Sequence, residues 1–374
     1  MGTNNVTNAA SDAKPMIAVG VVRALTVANL FAILLVIGIH YRSAKTPDGS
    51  SSNWDFLFQE FLLNGVARAA VPLFALLSGF FLAGNVGSIG AYRRVLAKKV
   101  RTLFVPYLLA SALILVGVAV TSMLRGQVET RYGSLYAVLR TLIARPASIQ
   151  FWFLRDLVIL TVLSPLLLSW RAPLLAIAGC LTVGTLWLFN IQPLPVVAEW
   201  YLINVETTLF FMLGGVLYRH RTRLAALAEP SAASRLLILA SWLVLIAIRI
   251  SIDPTLDVWY VEKYSLASLL LYKVAICLGV VSLIQLSYPA GDCLSLVYLS
   301  GHAFFVFLFH YEPLSALVTA VSSSFYLAFP LATVLAFMLA ELMSRLAAPG
   351  YLLLCGGRSP SKSVTRSAIL ARPS

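Results

Sequence analysis

The sequence predicts an all-α fold, a polytopic integral membrane bundle of about ten transmembrane helices. The 374 residues are 60% hydrophobic with a mean hydropathy of +0.87, and only 11% of them are charged. About a quarter of the residues in a soluble domain are charged, so a water-soluble fold of this length cannot hide so much apolar surface. The apolar runs are continuous and about 20 residues long, which is typical of membrane-spanning helices and not of the short alternating strands of membrane barrels.

Ten apolar runs define the predicted spans in chain order. Span one contains the run 27–40, and span two begins near Asn64 and continues through Phe81. Span three follows a basic segment, span four opens on aromatic residues, and only residues 170–173 separate span four from span five. Polar or basic loops separate the later spans. The predicted spans are 20–41, 62–84, 102–122, 150–169, 173–190, 200–218, 236–252, 264–287, 294–312 and 316–344.

The distribution of Lys and Arg predicts the orientation of the bundle in the lipid bilayer. The net charge is +13, and cytoplasmic loops of membrane proteins carry the excess of basic residues. This excess falls on the cytoplasmic segments if both termini are cytoplasmic, which explains the charge without nucleic acid as a partner. We divide the chain into a disordered cytoplasmic tail (1–16), a transmembrane domain (17–345) and a basic cytoplasmic tail (346–374).

His40 is a candidate catalytic residue because it ends the first apolar run. An ionisable side chain at membrane depth is costly and is therefore a functional hypothesis, and histidine is well suited to moving a proton near neutral pH. Asn29 lies about three helical turns earlier, roughly 16 Å along the axis, on the same face. The alternative interpretation is that His40 only marks the water-facing end of the span, beside Tyr41 and Arg42.

Arg68 is the second candidate, toward the outer end of span two and on the same side of the membrane as His40. Its guanidinium stays charged, so it must form an ion pair, bind an anion or extend to the interface. Extension of the side chain to the interface would require no functional role for Arg68. Further along the span, Ser78 and Gly79 lack the strand–turn–helix context of a serine nucleophile and are typical of close helix packing.

Five cations lie within nine residues ahead of span three, in a segment predicted to form an amphipathic helix on the cytoplasmic interface. Such a cluster can dock a polyanionic cofactor such as a nucleotide or coenzyme A. Alternatively, the cluster only orients the protein in the membrane and attracts acidic lipids, an attraction of about 1 kcal/mol per cation. The cations are Arg93, Arg94, Lys98, Lys99 and Arg101.

An aromatic segment at the start of span four and the histidines of span nine complete the candidates. Trp152 fits the outer aromatic belt or the rim of a sugar-binding entrance, and Arg155 and Asp156 are partly embedded. His302 and His310 are offset by roughly 80° around a helix axis, which does not suit a shared metal. The cysteines also lack the spacing of a zinc site, so we predict no metal.

Several stretches, in their order along the chain, resemble the membrane-bound acyltransferase family 3, whose members O-acylate bacterial surface glycans. The most specific are RAAVPLF at 68–74 and LSGF at 77–80. The length and content are most similar to short exopolysaccharide acetyltransferases such as the xanthan-type enzymes. The other matching stretches are span one ending in His40, LFVPY at 103–107, FWFL at 151–154, SPL at 164–166, LGGVL at 213–217 and FLFH at 307–310.

The resemblance implies acetyl transfer from cytoplasmic acetyl-CoA to a glycan hydroxyl in a bacterial inner membrane. His40 would accept the hydroxyl proton or be transiently acylated, and Arg68 would stabilise the developing oxyanion. The five cations would hold the CoA phosphates, with acetyl-CoA as a substrate and no tightly bound cofactor. The residues expected to contact the acceptor or line its entrance are Asn29, Trp152, Arg155, Asp156 and His310.

Two positions depart from the family pattern. The family has an arginine where this chain has Asn29, and an Arg-x-x-Arg pattern where this chain has Lys98 and Arg101. Two other classes therefore stay open: a transporter or flippase for a lipid-linked glycan, and a non-catalytic partner of other polysaccharide-assembly proteins. For the enzyme, the expected acceptor is a polysaccharide or a lipid-linked oligosaccharide.

Overall fold

The computed structural model describes the greater part of the predicted transmembrane domain. The predicted tail 1–16 lies outside the described residues, as does the part of the tail 346–374 beyond residue 360. The described residues are 19–43, 54–86, 88–124, 134–143, 146–168, 173–193, 195–197, 200–201, 203–254 and 264–360.

Helices make up nearly all of this described chain, in agreement with the predicted all-α class. A short antiparallel hairpin, β1 (Pro195–Val197) and β2 (Trp200–Tyr201), is the only sheet in these ranges. The helices are α1 (Val19–His40), α2 (Trp54–Leu63), α3 (Ala70–Ala83), α4 (Ile89–Lys99), α5 (Val105–Leu124), α6 (Leu135–Ile143), α7 (Phe151–Leu167), α8 (Pro173–Leu188), α9 (Val205–Arg219), α10 (Arg221–Ala228), α11 (Ala232–Ile252), α12 (Leu266–Ala290), α13 (Leu294–Ser300), α14 (Ala303–Phe309), α15 (Leu314–Val321), α16 (Phe325–Leu346) and α17 (Ala348–Leu354).

Six helical segments of the described chain are long and apolar enough to cross a membrane. The helices α14 and α15 meet at a bend of 74° and make a seventh if the pair counts as one span. These segments support a multi-pass helical membrane protein, whereas the count of about ten stays a prediction. The six are Val19–His40, Trp54–Ala83, Ile89–Val120, Ala232–Ile252, Leu266–Ala290 and Phe325–Leu346.

Several predicted spans differ from the helices in length. The second span begins earlier because α2 continues through a 3₁₀ turn (Val66–Ala69) into α3. The third begins earlier because α4 continues through a π-helical turn (Val100–Phe104) into α5. Spans four to six correspond to α7, α8 and α9, which have 17, 16 and 15 residues. These helices are shorter than the roughly 20 residues that a straight crossing needs.

The predicted span ten, 316–344, is wrong as one continuous helix. The chain leaves α15 at Ser322, which has an extended backbone, and α16 begins only after Ser324. The Ser322 hydroxyl accepts a hydrogen bond of 3.1 Å from the Ser324 backbone N–H. Such local bonds compete with helix formation, so three serines interrupt the apolar run. Span nine is likewise divided, into α13 and α14.

The helix α1 lies at the centre of the bundle, where it contacts α3, α12, α13, α14 and α16. Buried residues occur around its whole circumference, including Ala24, Ala28 and Ala32. A helix that is apolar all round is typical of a buried position, and the small side chains let its neighbours approach closely. Its far end therefore delivers His40 into the bundle.

The helices α3 and α9 pack against each other through two facing glycines. A Cβ atom on Gly79 would lie 1.9 Å from the carbonyl oxygen of Phe211, and one on Gly214 would lie 2.0 Å from that of Leu76. No larger residue fits at either position without moving a backbone. This geometry confirms the interpretation of Gly79 as a helix-packing residue.

Candidate active site

His40 and His310 meet at one end of the bundle. His40 ends α1, His310 follows α14, and the centroids of their imidazole rings are 5.1 Å apart. The Tyr311 ring lies 4.9 Å from the His40 ring. The Tyr41 hydroxyl donates a hydrogen bond of 2.9 Å to the carbonyl oxygen of His310. His40 is thus half-buried against two other rings of the bundle.

The neighbours of His310 determine which of its ring nitrogens carries the hydrogen. Its Nδ1 lies 3.1 Å from the carbonyl oxygen of Val306 and 3.0 Å from that of Phe307. Carbonyl oxygens only accept, so in the neutral ring Nδ1 carries the hydrogen and Nε2 presents a lone pair. This Nε2 is buried and has no hydrogen-bond partner in the part of the chain that the structure describes. Since such atoms are rare and costly, Nε2 is a candidate for contact with a substrate or a mobile proton.

Arg68 lies in the 3₁₀ turn between α2 and α3, where a polar network holds it. Its Nε donates a bond of 3.0 Å to Asn64 Oδ1, and Asn64 Nδ2 donates one of 2.9 Å to Glu60 Oε2. The buried Arg249 donates a bond of 3.0 Å to the carbonyl oxygen of Asn64. Glu60 also pairs with Arg42, just beyond the end of α1. The network therefore lies at the same end of the bundle as the histidine pair.

A cavity of about 280 Å³ lies between α1, α3, α7 and α14. Along α3 its lining extends from Phe74 to Leu82, roughly 12 Å at 1.5 Å per residue. The predicted site residue Asn29 is part of the lining, and its Nδ2 donates a bond of 3.0 Å to the carbonyl oxygen of Leu25. Most of the lining is apolar. Its polar members are Thr26, Asn29, Ser78, Lys99, Thr161, Ser300 and Arg358.

Three phenylalanine rings, which we call the aromatic triangle, line this cavity, and one of them also lies against the histidine pair. The triangle consists of Phe74, Phe153 and Phe307, whose ring centroids are 5.9, 6.0 and 6.3 Å apart. All three rings line the cavity, and the Phe307 ring lies 6.1 Å from the ring of His310. His40 and Arg68 are not part of the lining.

Only Lys99 among the five cations predicted to bind the cofactor lines the cavity. It ends α4 directly before the π-helical turn, a feature that is frequent at functional sites. The helix α4 itself lies at the surface, where the Tyr92 hydroxyl donates a bond of 2.9 Å to the carbonyl oxygen of Val162. The cofactor contact of the four exposed cations stays a prediction. They are Arg93, Arg94, Lys98 and Arg101.

Arg358 is a second cation of the cavity, and the sequence placed it only in the basic tail. It follows α17 in a turn that contains Gly356 at a φ of 58°. Its Nη1 donates bonds of 2.8 Å to the carbonyl oxygen of Thr102 and 3.0 Å to that of Cys355. Its guanidinium lies 4.2 Å from the ring centroid of Phe304. No local sequence signal predicts a contact between residues 256 positions apart.

Arg155 and Asp156 bind each other and the start of α9. Arg155 Nη2 donates a bond of 3.1 Å to Asp156 Oδ1, and Asp156 Oδ2 accepts one of 2.9 Å from the backbone N–H of Asn204. Asn204 in turn caps α9 by accepting a bond from Thr207 N–H. Trp152 packs edge-on against the Phe153 ring of the aromatic triangle. The predicted acceptor contacts of Trp152, Arg155 and Asp156 stay predictions, since none of the three lines the cavity.

The described residues thus form a membrane bundle with an internal cavity, a pair of histidines of which His310 is buried and His40 half-buried, and no group of three metal-binding side chains. A family model described as an acyltransferase domain matches residues 22–345. The match covers most of the chain, and the protein therefore belongs to the acyltransferase 3 family. No curated protein and no solved structure matches the chain. The matched residues include His40, Arg68 and His310 and end before α17.

Proposed function

We propose that the protein transfers an acetyl group from cytoplasmic acetyl-CoA to a sugar hydroxyl in the inner membrane of a bacterium. The acceptor is an exopolysaccharide or its lipid-linked repeat unit. The observation that carries the proposal is the cavity that leads from Lys99 to the aromatic triangle beside the histidine pair, in a chain of the acyltransferase 3 family.

The shape and lining of the cavity suit a long thioester with one charged end. Apolar walls supplied by Leu77, Leu103 and Leu157 can bury a thin, mostly uncharged arm. Lys99 at the cytoplasmic side can hold a phosphate by a charge-assisted hydrogen bond. Acetyl-CoA has these two parts in this order, so its thioester points toward the histidine pair when its phosphates meet Lys99.

The proposed reaction is acyl transfer with His40 as the general base. The acceptor oxygen attacks the thioester carbonyl carbon while its proton passes to His40. The carbon–sulfur bond then breaks, and the CoA sulfur takes a proton from the imidazolium as it leaves. At a centroid separation of 5.1 Å, a nitrogen of His40 can reach Nε2 of His310. An N–H of His40 bound there would leave its other nitrogen directed at the hydroxyl.

Arg68 is the proposed partner of the negative charge that develops on the carbonyl oxygen. A guanidinium stays charged, and preorganised donors stabilise such an oxyanion most effectively when they are held in place. The bond from Arg68 Nε to Asn64 fixes the direction of this guanidinium. We infer that the aromatic triangle opens for the thioester to reach His40, since Phe307 lines the cavity and its ring lies 6.1 Å from that of His310.

Replacement of the proposed base tests the function directly. Membranes that contain the His40→Ala protein at wild-type abundance should transfer labelled acetyl groups to polysaccharide about 10²–10⁴-fold more slowly than wild type. The matched control is His220→Ala, which removes an exposed histidine after α9. We expect the control to keep the wild-type rate.

The results of these assays test the role of His40 and distinguish an acyltransferase from a transporter. A His40→Ala rate within a few-fold of wild type contradicts the assignment of the base. Movement of unacetylated glycan across the membrane without any label in the product favours a transporter or flippase. Mass analysis of the host polysaccharide with and without the protein identifies the acyl group and the sugar that carries it.

A further inference from the structure

The last described part of the chain, the C-terminal segment 347–360, lies beyond the residues matched by the family model and folds back onto the bundle. Tyr351 is buried, its ring stacks on Phe305 with centroids 5.3 Å apart, and its hydroxyl lies 2.9 Å from His302 Nδ1. His302 Nε2 lies 2.9 Å from Glu341 Oε2. A carboxylate only accepts, so His302 donates to Glu341 and accepts from Tyr351.

Two glycines let the C-terminal segment approach the bundle at backbone distance. A Cβ atom on Gly356 would lie 2.4 Å from the Cα of Thr102, in the π-helical turn that follows Lys99. Gly356 also has a φ of 58°, a conformation that favours glycine. A Cβ atom on Gly301 would lie 2.4 Å from the Cα of Pro360. These contacts hold the segment against the π-helical turn and against the turn before α14, on both sides of Arg358.

The charged side chains in the described lining of the cavity are all positive. Among the described residues that line the cavity, the charged ones are Lys99 and Arg358, and both are half-buried. Burial lowers the pKa of the Arg358 guanidinium, which means that its charge is poorly solvated. The two positive charges in one cavity repel each other, and burial deprives each of hydration. An anion bound between them offsets both the repulsion and the lost hydration.

We propose that Arg358 and Lys99 together bind a phosphate of the acyl donor, so that the C-terminal segment completes the donor site. Arginine presents a planar fork of donors that matches phosphate oxygens, and lysine adds a point charge. The identity of the donor rests on the proposed function. A nucleotide phosphate of acetyl-CoA and the phosphate of an acidic lipid share this chemistry, and the experiment separates them.

The test compares two acetyl donors that differ in their phosphates. We expect Arg358→Gln to raise the KM for acetyl-CoA about tenfold or more, since bonds to charged groups are strong. The KM for acetyl-pantetheine, which has no phosphate, should not change. Arg358→Lys should recover part of the loss because it keeps the charge. The control Arg219→Gln, which removes an exposed arginine at the end of α9, should leave both constants as in wild type.

A purely structural role of Arg358 gives a different result. If Arg358→Gln changes the KM for both donors equally, or leaves both unchanged, the proposal is overturned. The midpoint of thermal unfolding of the purified variant shows whether the fold has survived the substitution. Gly356→Val, which displaces the turn without changing a charge, should raise the KM for acetyl-CoA as Arg358→Gln does.

Binding measurements separate this proposal from the proposed function. Calorimetry with CoA on detergent-purified protein should give weaker binding to Arg358→Gln than to wild type. Wild-type protein that neither binds CoA nor transfers acetyl groups overturns the proposed function. Wild-type protein that does both, while Arg358→Gln binds CoA equally well, overturns only the role of Arg358. A loss that appears only when phosphatidylglycerol is present assigns the site to a lipid phosphate and also overturns the proposal.

Discussion

Two carbonyl oxygens of α14 hold the Nδ1 hydrogen of His310 and so leave its buried Nε2 as an acceptor, in a ring that lies 5.1 Å from that of His40. The sequence identified both histidines as candidates because ionisable groups are costly in hydrocarbon. It did not bring them together, since helical periodicity relates residues within one helix only. The distinct properties of the two nitrogens follow from contacts that exist only in the folded bundle.

Asn29 stands where the resembling family has an arginine, and it lines the cavity. Substitutions at this position therefore test whether a charge here affects the binding of acetyl-CoA. Asn29→Asp has nearly the same shape and adds a negative charge to the cavity that Lys99 and Arg358 also line. We expect it to raise the KM for acetyl-CoA about tenfold, because charges interact strongly in a low-dielectric cavity. Asn29→Arg, which restores the family residue, should lower that KM.

Initial rates on membranes, measured over a range of acetyl-CoA concentrations, provide the comparison. Acetyl-pantetheine serves as the control donor, since it lacks the phosphates that the added charge would repel or attract. Equal KM values for acetyl-CoA in the Asn29→Asp and Asn29→Arg variants would show that a charge at position 29 does not affect donor binding.

At the level of elements, α3 and α9 illustrate a packing rule that the sequence suggested and the structure confirmed. Helices in lipid gain little from burying apolar surface, so small residues that allow close approach carry much of their association. The run that contains Gly79 predicted this contact but not its partner. The partner is Gly214, whose added Cβ would collide with the carbonyl oxygen of Leu76.

Gly214→Ala should therefore destabilise the bundle. Overpacking of a tight contact costs about 1–3 kcal/mol, which we expect to appear as a lower unfolding midpoint and less detergent-soluble protein. Gly117→Ala in α5 is the matched control, because its added Cβ would meet no atom within 4 Å. Alanine also has a higher helix propensity than glycine, so the control should be at least as stable as wild type. Equal midpoints for the two variants would contradict the tight contact.

The basic helix α4 was predicted from the sequence, but the π-helical turn that follows it was not. An amphipathic pattern predicted a helix on the membrane surface, and four of the five cations of this basic segment, all except Lys99, are exposed. The π-helical turn after Lys99 could not be read from the pattern, since an i→i+5 turn has no simple sequence signature. It is this turn that lies against the C-terminal segment and brings Lys99 and Arg358 to one cavity.

For the whole molecule, the excess of cations predicts that both termini face the cytoplasm. The native Cys293 tests this orientation, because it is exposed and follows Asp292, which lies 4.0 Å from Arg23 at the start of α1. In a variant with alanine at Cys180 and Cys277, we expect a membrane-impermeant maleimide to label Cys293 in inverted vesicles but not in intact cells.

The opposite end of the bundle supplies the control for this labelling. Ser323→Cys places an exposed thiol between α15 and α16. Phe325 N–H, just beyond it, donates a bond of 2.9 Å to Ser43 Oγ, near the far end of α1. The added thiol should react in intact cells. Labelling of Cys293 from outside would reverse the predicted orientation.

Composition and run length by themselves determined that this protein is a helical membrane bundle, because a helix satisfies its own backbone hydrogen bonds in lipid. Ordered motifs also indicated the acyltransferase family, and ionisable residues in apolar runs indicated the candidate site. Only the tertiary structure decided that His40 meets His310 and that Arg358 reaches the cavity. These features depend on contacts between segments far apart in the chain, and no local pattern of residues specifies such contacts.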